Sequence, residues 1–392
     1  MVGLTEKEWE YVEKHIDSNI DKLLLSKNSK EYSRSIRQII GLRIAKNKFP
    51  FLLNYKVLYP RKLHLEQSSS QITAQYKAEI ISHLKSLRDL SSGFGIDCIF
   101  FAKHVPKVYY HEENQDLAEI AIYNFQELNI HNITTTIGNS LERFEELSPT
   151  DIIYIDPSRR DKNQNRVVQP QDLSPNIIEI MPKLFQKSRL ILVKLSPLLH
   201  ISAIQATISN IKELHVVSLD NEAKEILLLI EKDYQGPIKY ISASLSSSQN
   251  HSINIIDQTA YKDAHIIDVS DISKKQYLYE PNTSLMKLSF FAYISQTYNL
   301  EKLSDNSHLF FSQEHIQDFP GRVFKIKEIH RYDKTFIKTI HHRIPKANIS
   351  IRNFPDTVAN IRKRTKINDG GEVYMFFSQN HNNDKIVFIC SY

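Results

Sequence analysis

An α/β fold with a mostly parallel sheet is what this sequence predicts, with a helical N-terminal unit and a small α+β C-terminal domain. From about residue 66 to 232, short apolar runs alternate with helical stretches, the pattern of strands joined by crossover helices. Before that region the apolar residues recur at helical spacing. After Asp233 the alternation stops and mixed strand and helix patterns follow. At 392 residues the chain exceeds one ordinary core, so several domains are expected: 1–65, 66–277, 278–321 and 322–392.

Thr5-Glu6-Lys7-Glu8 is a capping box, and Trp9, Val12, Ile16 and Ile20 continue it at helical spacing. Ile36, Ile39, Ile40 and Ile44 mark a further helix, and Pro50 to Pro60 a linker or docking segment. Strands are expected at Leu87–Leu90, Val108–His111, Ile133–Ile137, Ile152–Ile155, Leu190–Val193, Leu214–Leu219 and Ile226–Ile230. The first is the weakest, because Arg88 interrupts it. Residues 220–225 are too few for a crossover helix, so the last two strands pair antiparallel. Two β-like runs flank the polar turn at 246–250. Residues 278–321 read as a small mixed unit, and Asp369-Gly370-Gly371 as a turn before two final strands.

With 41% hydrophobic and 24% charged residues, the composition is that of a globular domain. No run of eighteen apolar residues suggests a membrane span, and residues 1–13 do not read as a signal peptide. Cys98 and Cys390 read as inert buried thiols, and a cytoplasmic location is expected. The sixteen histidines show no metal-ligand spacing, so no metal is expected. The net charge is +5, but nine Lys/Arg stand against one acid between Lys30 and Lys62, and thirteen against three between Arg322 and Lys366. Two basic flanks point to a polyanionic partner, most simply RNA; two solvated faces are the alternative.

Chemistry concentrates around Asp89-Leu90-Ser91-Ser92-Gly93-Phe94-Gly95. Two glycines one residue apart permit a sharp turn that approaches a ligand closely, and the apolar run from Ile96 suits a helix whose N-terminus faces that ligand. Such a turn serves either a dinucleotide or S-adenosylmethionine, and an acid ending the second strand, here Glu112, accepts hydrogen bonds from ribose hydroxyls. Cys98 replaces the third glycine of the dinucleotide fingerprint, and a closing antiparallel pair is foreign to the usual dinucleotide fold.

In these motifs the chain resembles the class I S-adenosylmethionine-dependent methyltransferases, over roughly residues 66–232. The resemblance implies a Rossmann-like, seven-stranded sheet with an antiparallel last strand and S-adenosylmethionine as cofactor. It assigns Asp89, Ser91, Gly93 and Gly95 to the methionine-cradling turn, Glu112 to ribose, and Asn139 and Ser140 to adenine. The segment Glu66 to Lys77 is similar to that ahead of the first motif in RNA cap guanine-N2 methyltransferases, which implies that Ser69 and Thr73 meet the cofactor carboxylate. Asp156-Pro157-Ser158-Arg159-Arg160 follows the fourth strand, where the catalytic motif of the class sits. Asp156 and Pro157 keep the first half of the amine-methylating pattern, while Ser158 and Arg159 replace its second proline and aromatic. Asp156 is then expected to position the acceptor, Arg159 to contact substrate, and Arg160 and Lys194 to meet phosphate; solvated or ion-paired roles are the alternatives for these cations.

The whole chain is similar to a bacterial methyltransferase family with a small ferredoxin-like segment and a THUMP-like C-terminal domain. Asp156 to Asp161, Val193 to Pro197, Tyr279 to Asn282, Asp318 to Arg322 and Asn353 to Pro355 carry that resemblance. It implies a methyltransferase modifying structured RNA, tRNA or rRNA. A catalytically silent RNA-binding protein, a protein or small-molecule methyltransferase, and a nicotinamide-dependent oxidoreductase are the competing readings. Oligomeric state is not readable.

Overall fold

The computed structural model describes residues 3–157, 169–248, 250–256, 264–267 and 269–392. Chain contacts divide the protein into two units. One takes the chain up to Leu219 together with Lys224–Ile238; the other takes Asp220–Ala223, Lys239–Ser246 and the C-terminal region to Tyr392.

The first unit opens with α1 (Glu6–His15), α2 (Ile20–Leu24) and α3 (Ser33–Lys48). The capping box is formed: the Thr5 hydroxyl accepts from the Glu8 N–H, and the Glu8 carboxylate accepts from the Thr5 N–H. Val12, Leu23, Ile36 and Ile39 bury one stripe of these helices, with Trp9 against them. The Pro50–Pro60 segment is packed rather than loose. Phe49, Leu52, Val57, Leu58 and Tyr59 are buried. Two side-chain amides strap it in place: Gln38 bonds both backbone groups of Tyr59 (3.2 and 2.8 Å), and Asn124 both of Leu58 (2.8 and 2.7 Å). A buried extended segment needs such partners for its backbone.

Next come α4 (Lys62–Gln67), α5 (Gln71–Ile80), β1 (Ser86–Asp89), α6 (Ile96–His104), β2 (Lys107–Glu112), α7 (Gln115–Glu127) and β3 (Ile133–Ile137). After them follow β4 (Ile152–Ile155), α8 (Ile177–Leu184), β5 (Leu190–Leu195), α9 (Ile201–Thr207), β6 (Ile211–Leu219) and β7 (Glu222–Glu231). These strands lie in the order β3-β2-β1-β4-β5-β7-β6. Strands β1 to β5 run parallel, with Leu87 opposite Val108 and Ile152, and β7 pairs antiparallel with β5. Every residue of β4 and nearly every residue of β5 is buried, as a sheet covered on both faces requires. Asp220 and Asn221, both at positive φ, make the tight connection from β6 to β7. Arg88 does not break β1. Its guanidinium meets His111 Nε2 at 2.7 Å and the Ser148 carbonyl at 3.0 Å, and lies 4.2 Å over the Tyr109 ring.

The second unit contains an antiparallel pair, β8 (Lys239–Leu245) and β9 (Ser252–Ile256). A seven-stranded sheet follows, built from β10 (Tyr277–Pro281), β11 (Glu301–Lys302), β12 (Phe310–Ser312), β13 (Gly321–Arg331), β14 (Lys346–Arg352), β15 (Asn368–Gln379) and β16 (Lys385–Ser391). Its order is β11-β12-β10-β13-β16-β15-β14. Helices α10 (Thr283–Leu288), α11 (Phe291–Thr297), α12 (Lys334–Arg343) and α13 (Val358–Thr365) complete the unit. The expected turn at Asp369-Gly370-Gly371 is instead part of β15. It forms a bulge between pairs Ala347–Asp369 and Asn348–Tyr374, and Gly370 and Gly371 take φ of 90 and 88°. Positive φ serves a bulge as well as a turn. Among the described residues no helix is long and apolar enough to cross a membrane.

Candidate cofactor site

The carboxyl ends of β1, β4 and β5 meet at one cavity of about 150 Å³ in the first unit. Ser69, Ser91, Gly93, Gly95, Asp156 and Lys194 line it, together with Asp97, which sequence reasoning did not single out. Ligand sites at this edge are what a doubly wound sheet produces.

The turn after β1 is held from both sides. Asp89 Oδ1 accepts the Ser91 N–H at 2.9 Å, and Cys98 Sγ donates to Asp89 Oδ2 at 3.3 Å. Ser92 is stitched to β2: its N–H donates to the His111 carbonyl and its Oγ accepts the His111 N–H, each at 3.0 Å. The Gly93 N–H donates to Glu112 Oε2 at 2.8 Å, and the Tyr110 hydroxyl donates to the Gly93 carbonyl at 2.7 Å. Gly93 and Gly95 have φ of 55 and 86°. A Cβ on Gly95 would lie 2.8 Å from Phe125 Cζ, so glycine lets α6 start against α7. A Cβ on Gly93 would meet only the Ser91 carbonyl, at 4.0 Å, so the turn is not crowded at that position.

Glu112 reaches the turn but lies outside the cavity lining, its Oε1 accepting the Asn114 N–H at 2.7 Å. Asn139 caps its own loop through the Leu141 N–H (3.0 Å), and Ser140 Oγ meets the Leu90 carbonyl at 3.5 Å. Thr73 is buried in α5 and occupied with Ser70, while its neighbour Ser69 lines the cavity. Asp156 is fixed twice. Its N–H donates to Ser91 Oγ at 2.7 Å, and its carboxylate pairs with the Lys194 ammonium. Lys194 is therefore not a solvated strand-end cation: it is 3% exposed and turned inward. Pro157 is buried directly after Asp156. Ser158, Arg159, Arg160 and Asp161 lie outside the described residues.

Behind the cavity lies a buried charge cluster. Lys77 Nζ donates to Glu225 Oε1 and Oε2 at 2.8 and 3.0 Å and to Ser69 Oγ at 3.0 Å. Asp97 Oδ2 accepts from Ser69 Oγ at 2.9 Å and from the Tyr154 hydroxyl at 3.0 Å. Burial alone would raise the Asp97 pKa, but Lys77 and Lys194 outweigh it and keep the carboxylate below its usual value. Burial likewise depresses Lys194, and the carboxylates of Asp156, Asp97 and Glu225 outweigh that, so it stays protonated. Asp89, by contrast, is pushed up to about 7 by burial. Cys98 is raised well above its usual value, again by burial, an inert thiol rather than a nucleophile. Lys77, Asp97 and Glu225 carry no local sequence signal beyond a lone acid, Asp97, at the head of an apolar helix.

Residues 277–320 match a ferredoxin-like domain family and residues 321–392 a THUMP domain-like family. The chain is similar along its whole length to the crystal structure of a candidate methyltransferase from Porphyromonas gingivalis W83. The two are 27% identical with a TM-score of 0.84, over 99% of each chain. The chain has the fold of that methyltransferase-like structure and ends in a THUMP-like domain. M. capricolum TrmK, solved with S-adenosyl-homocysteine, is 19% identical with a TM-score of 0.33, over 41% of this chain and 68% of that one. No curated protein sequence matches the chain.

Proposed function

We propose that this protein is an S-adenosylmethionine-dependent methyltransferase that acts on structured RNA, tRNA or rRNA, in the cytoplasm. The observation that carries the reading is the convergence of the Ser91–Gly95 turn, the start of α6, Asp156 and Lys194 on one cavity. The residues fit the cofactor. A Cβ on Gly93 would meet only the Ser91 carbonyl, at 4.0 Å, so the turn leaves room beside it, and the buried Asp97 Oδ1 accepts no hydrogen bond. Ser69, Gly93, Gly95 and Asp97 would hold the methionine end. Glu112 has lone pairs left for ribose hydroxyls, since each oxygen accepts one N–H. Asn139 and Ser140 would border the adenine. Bound there, S-adenosylmethionine supplies an electrophilic methyl group.

What the chain must add is alignment of the acceptor and exclusion of water. Asp156, fixed by Ser91 and Lys194, is rigid enough to orient an acceptor N–H or O–H. Arg159 and Arg160 are assigned to the substrate base or phosphate. The whole-length likeness to the Porphyromonas gingivalis protein supports methyl transfer. The THUMP-like domain and the thirteen Lys/Arg between Arg322 and Lys366 support an RNA substrate. One observation favours a second reading, a silent core that still binds RNA: the Asp156 carboxylate is already paired with a buried lysine. Calorimetry with S-adenosylmethionine, followed by transfer of tritiated methyl groups to RNA from a strain lacking the gene, separates them. Binding with transfer to that RNA but not to wild-type RNA is expected. Binding without transfer favours the silent core, label entering protein alone redirects the substrate, and absence of binding overturns the cofactor assignment.

A further inference from the structure

We infer that His64, on α4, is a further catalytic residue, which takes the proton released when an acceptor N–H or O–H is methylated. The inference rests on the methyltransferase reading above and adds a base to it. His64 and Gln67 line the same cavity as the glycine turn, Asp156 and Lys194. The other polar side chains of that lining are engaged within the protein. Ser69 is bonded to Asp97 and Lys77, Ser91 to the Asp156 N–H, Ser92 to the His111 N–H, Ser68 to the His64 carbonyl, and Asp156 to Lys194. Among the described residues, His64 and Gln67 alone in the lining have side chains with no hydrogen bond or ion pair. His64 is half-buried and Gln67 exposed, so both are open to a ligand that enters.

Topology sets them on the side of the methyl acceptor. Helix α5 is anchored to the β6–β7 half of the sheet: Lys77 pairs with Glu225 of β7 at 2.8 Å, and the Tyr76 hydroxyl meets His215 Nδ1 of β6 at 2.7 Å. Strand β7 neighbours β5, which carries Lys194, and β5 neighbours β4, which leads into Asp156; Glu112 ends β2, beyond β1. Only Ser68 to Ser70 separate α4 from α5, so His64 and Gln67 reach the cavity from the Asp156 side. Of the titratable groups facing it, His64 is the one fit to gain a proton. Lys194 stays protonated, because Asp156, Asp97 and Glu225 outweigh burial. Asp156 is paired with Lys194 and orients the acceptor. Burial would raise Asp97, but Lys77 and Lys194 hold it below its usual value, which makes it a weak base. Around His64, Glu66 pairs with Lys62 at 3.5 Å, and Lys48 Nζ donates to the Leu65 and Glu66 carbonyls at 2.8 Å. An imidazole gains a proton near neutral pH and passes it to water, which the Gln67 amide cannot do. In the step, the acceptor lone pair bonds the methyl carbon of S-adenosylmethionine. The electron pair of the broken carbon–sulfur bond stays on sulfur, and the acceptor proton moves to a ring nitrogen of His64.

Tritiated methyl transfer from S-adenosylmethionine to total RNA of a strain lacking the gene tests this on the full chain. His64→Gln should lower kcat about 100-fold, while KM for that RNA and calorimetric affinity for S-adenosylhomocysteine stay within about twofold. The acid limb of the kcat–pH profile should vanish with the imidazole, and added imidazole should restore part of the rate to His64→Gly, which a merely structural role would not allow. On the unaltered chain, diethyl pyrocarbonate should modify His64 with S-adenosylhomocysteine bound and cease to do so when the RNA is added as well. A His64→Gln chain that keeps its rate and its acid limb overturns the inference and leaves the methyltransferase reading standing. Loss of S-adenosylhomocysteine affinity in that variant, or protection of His64 by S-adenosylhomocysteine alone, sets the residue on the cofactor and overturns it too. An unaltered chain that binds no S-adenosylmethionine, or transfers no methyl group, overturns both. The footprint uses no variant, so it decides the placement even if His64→Gln does not fold.

Discussion

Lys77→Met is the sharpest probe of the charge cluster. The substitution keeps the aliphatic bulk of a fully enclosed side chain and deletes its ammonium. Glu225, 3% exposed, then loses the donor to both carboxylate oxygens (2.8 and 3.0 Å), and Asp97 loses its nearest cation at 3.4 Å. Removing one partner of a buried ion pair costs about 3–5 kcal/mol, because an uncompensated charge stays behind. For a unit of this size that corresponds to a melting midpoint lower by roughly 10 °C, at about 2–4 °C per kcal/mol. Trp9 is the only tryptophan, and it packs in the first unit, so its fluorescence reports unfolding of the unit that holds the cluster. The double variant Lys77→Met/Glu225→Leu should regain part of the loss, since no unpaired glutamate remains buried. A single-variant loss under about 1 kcal/mol would refute the reasoning, as would a double variant equal to the sum of its singles.

Asp89 makes stability pH-dependent in a definite direction. Burial holds its proton up to about 7, whereas in the unfolded chain it leaves near pH 4. Between those values the native state binds the extra proton, so stability declines as pH rises and the penalty is fully present above 7. Asp89→Asn removes that slope, and the wild-type-minus-variant difference in urea stability should fall from pH 4.5 to 7.5; a flat difference contradicts the assignment. Gly95→Ala places a Cβ at φ 86° and 2.8 Å from Phe125 Cζ, for an expected loss of about 1–3 kcal/mol. Phe125→Leu in the same chain should recover part of it in thermal melts. Lys334, Lys338 and Lys363 are exposed on α12 and α13. Changing all three to Ala should weaken tRNA retention and flatten its logarithmic salt dependence by about 2, while calorimetric affinity for S-adenosylmethionine stays unchanged.

The reach of sequence reasoning here follows the range of the interaction behind each feature. Strands β3 and β4 fall at the expected residues, and the Thr5 cap forms, because apolar runs and capping chemistry are written within a few neighbouring positions. The Gly93–Gly95 turn is legible for the same reason. The Asp369-Gly370-Gly371 segment is ambiguous locally: its positive φ suits a turn or a bulge, and only pairing with Lys346 and Ala347, some twenty residues earlier, selects the bulge. The charge cluster is the extreme case. Lys77 looks like any helix lysine and Glu225 like part of a polar turn, yet 148 positions of sequence separate these partners. Charged residues are presumed exposed unless something pairs them, and no local pattern announces a partner on another element. Asp97 alone left a trace, an acid opening the apolar run Ile96 to Ala102. A helix start also favours an acid there for its dipole, so that trace has a bland explanation. Only the folded chain, with Tyr154 and Ser69 on one oxygen and Lys77 3.4 Å from the other, makes it a member of the charge cluster.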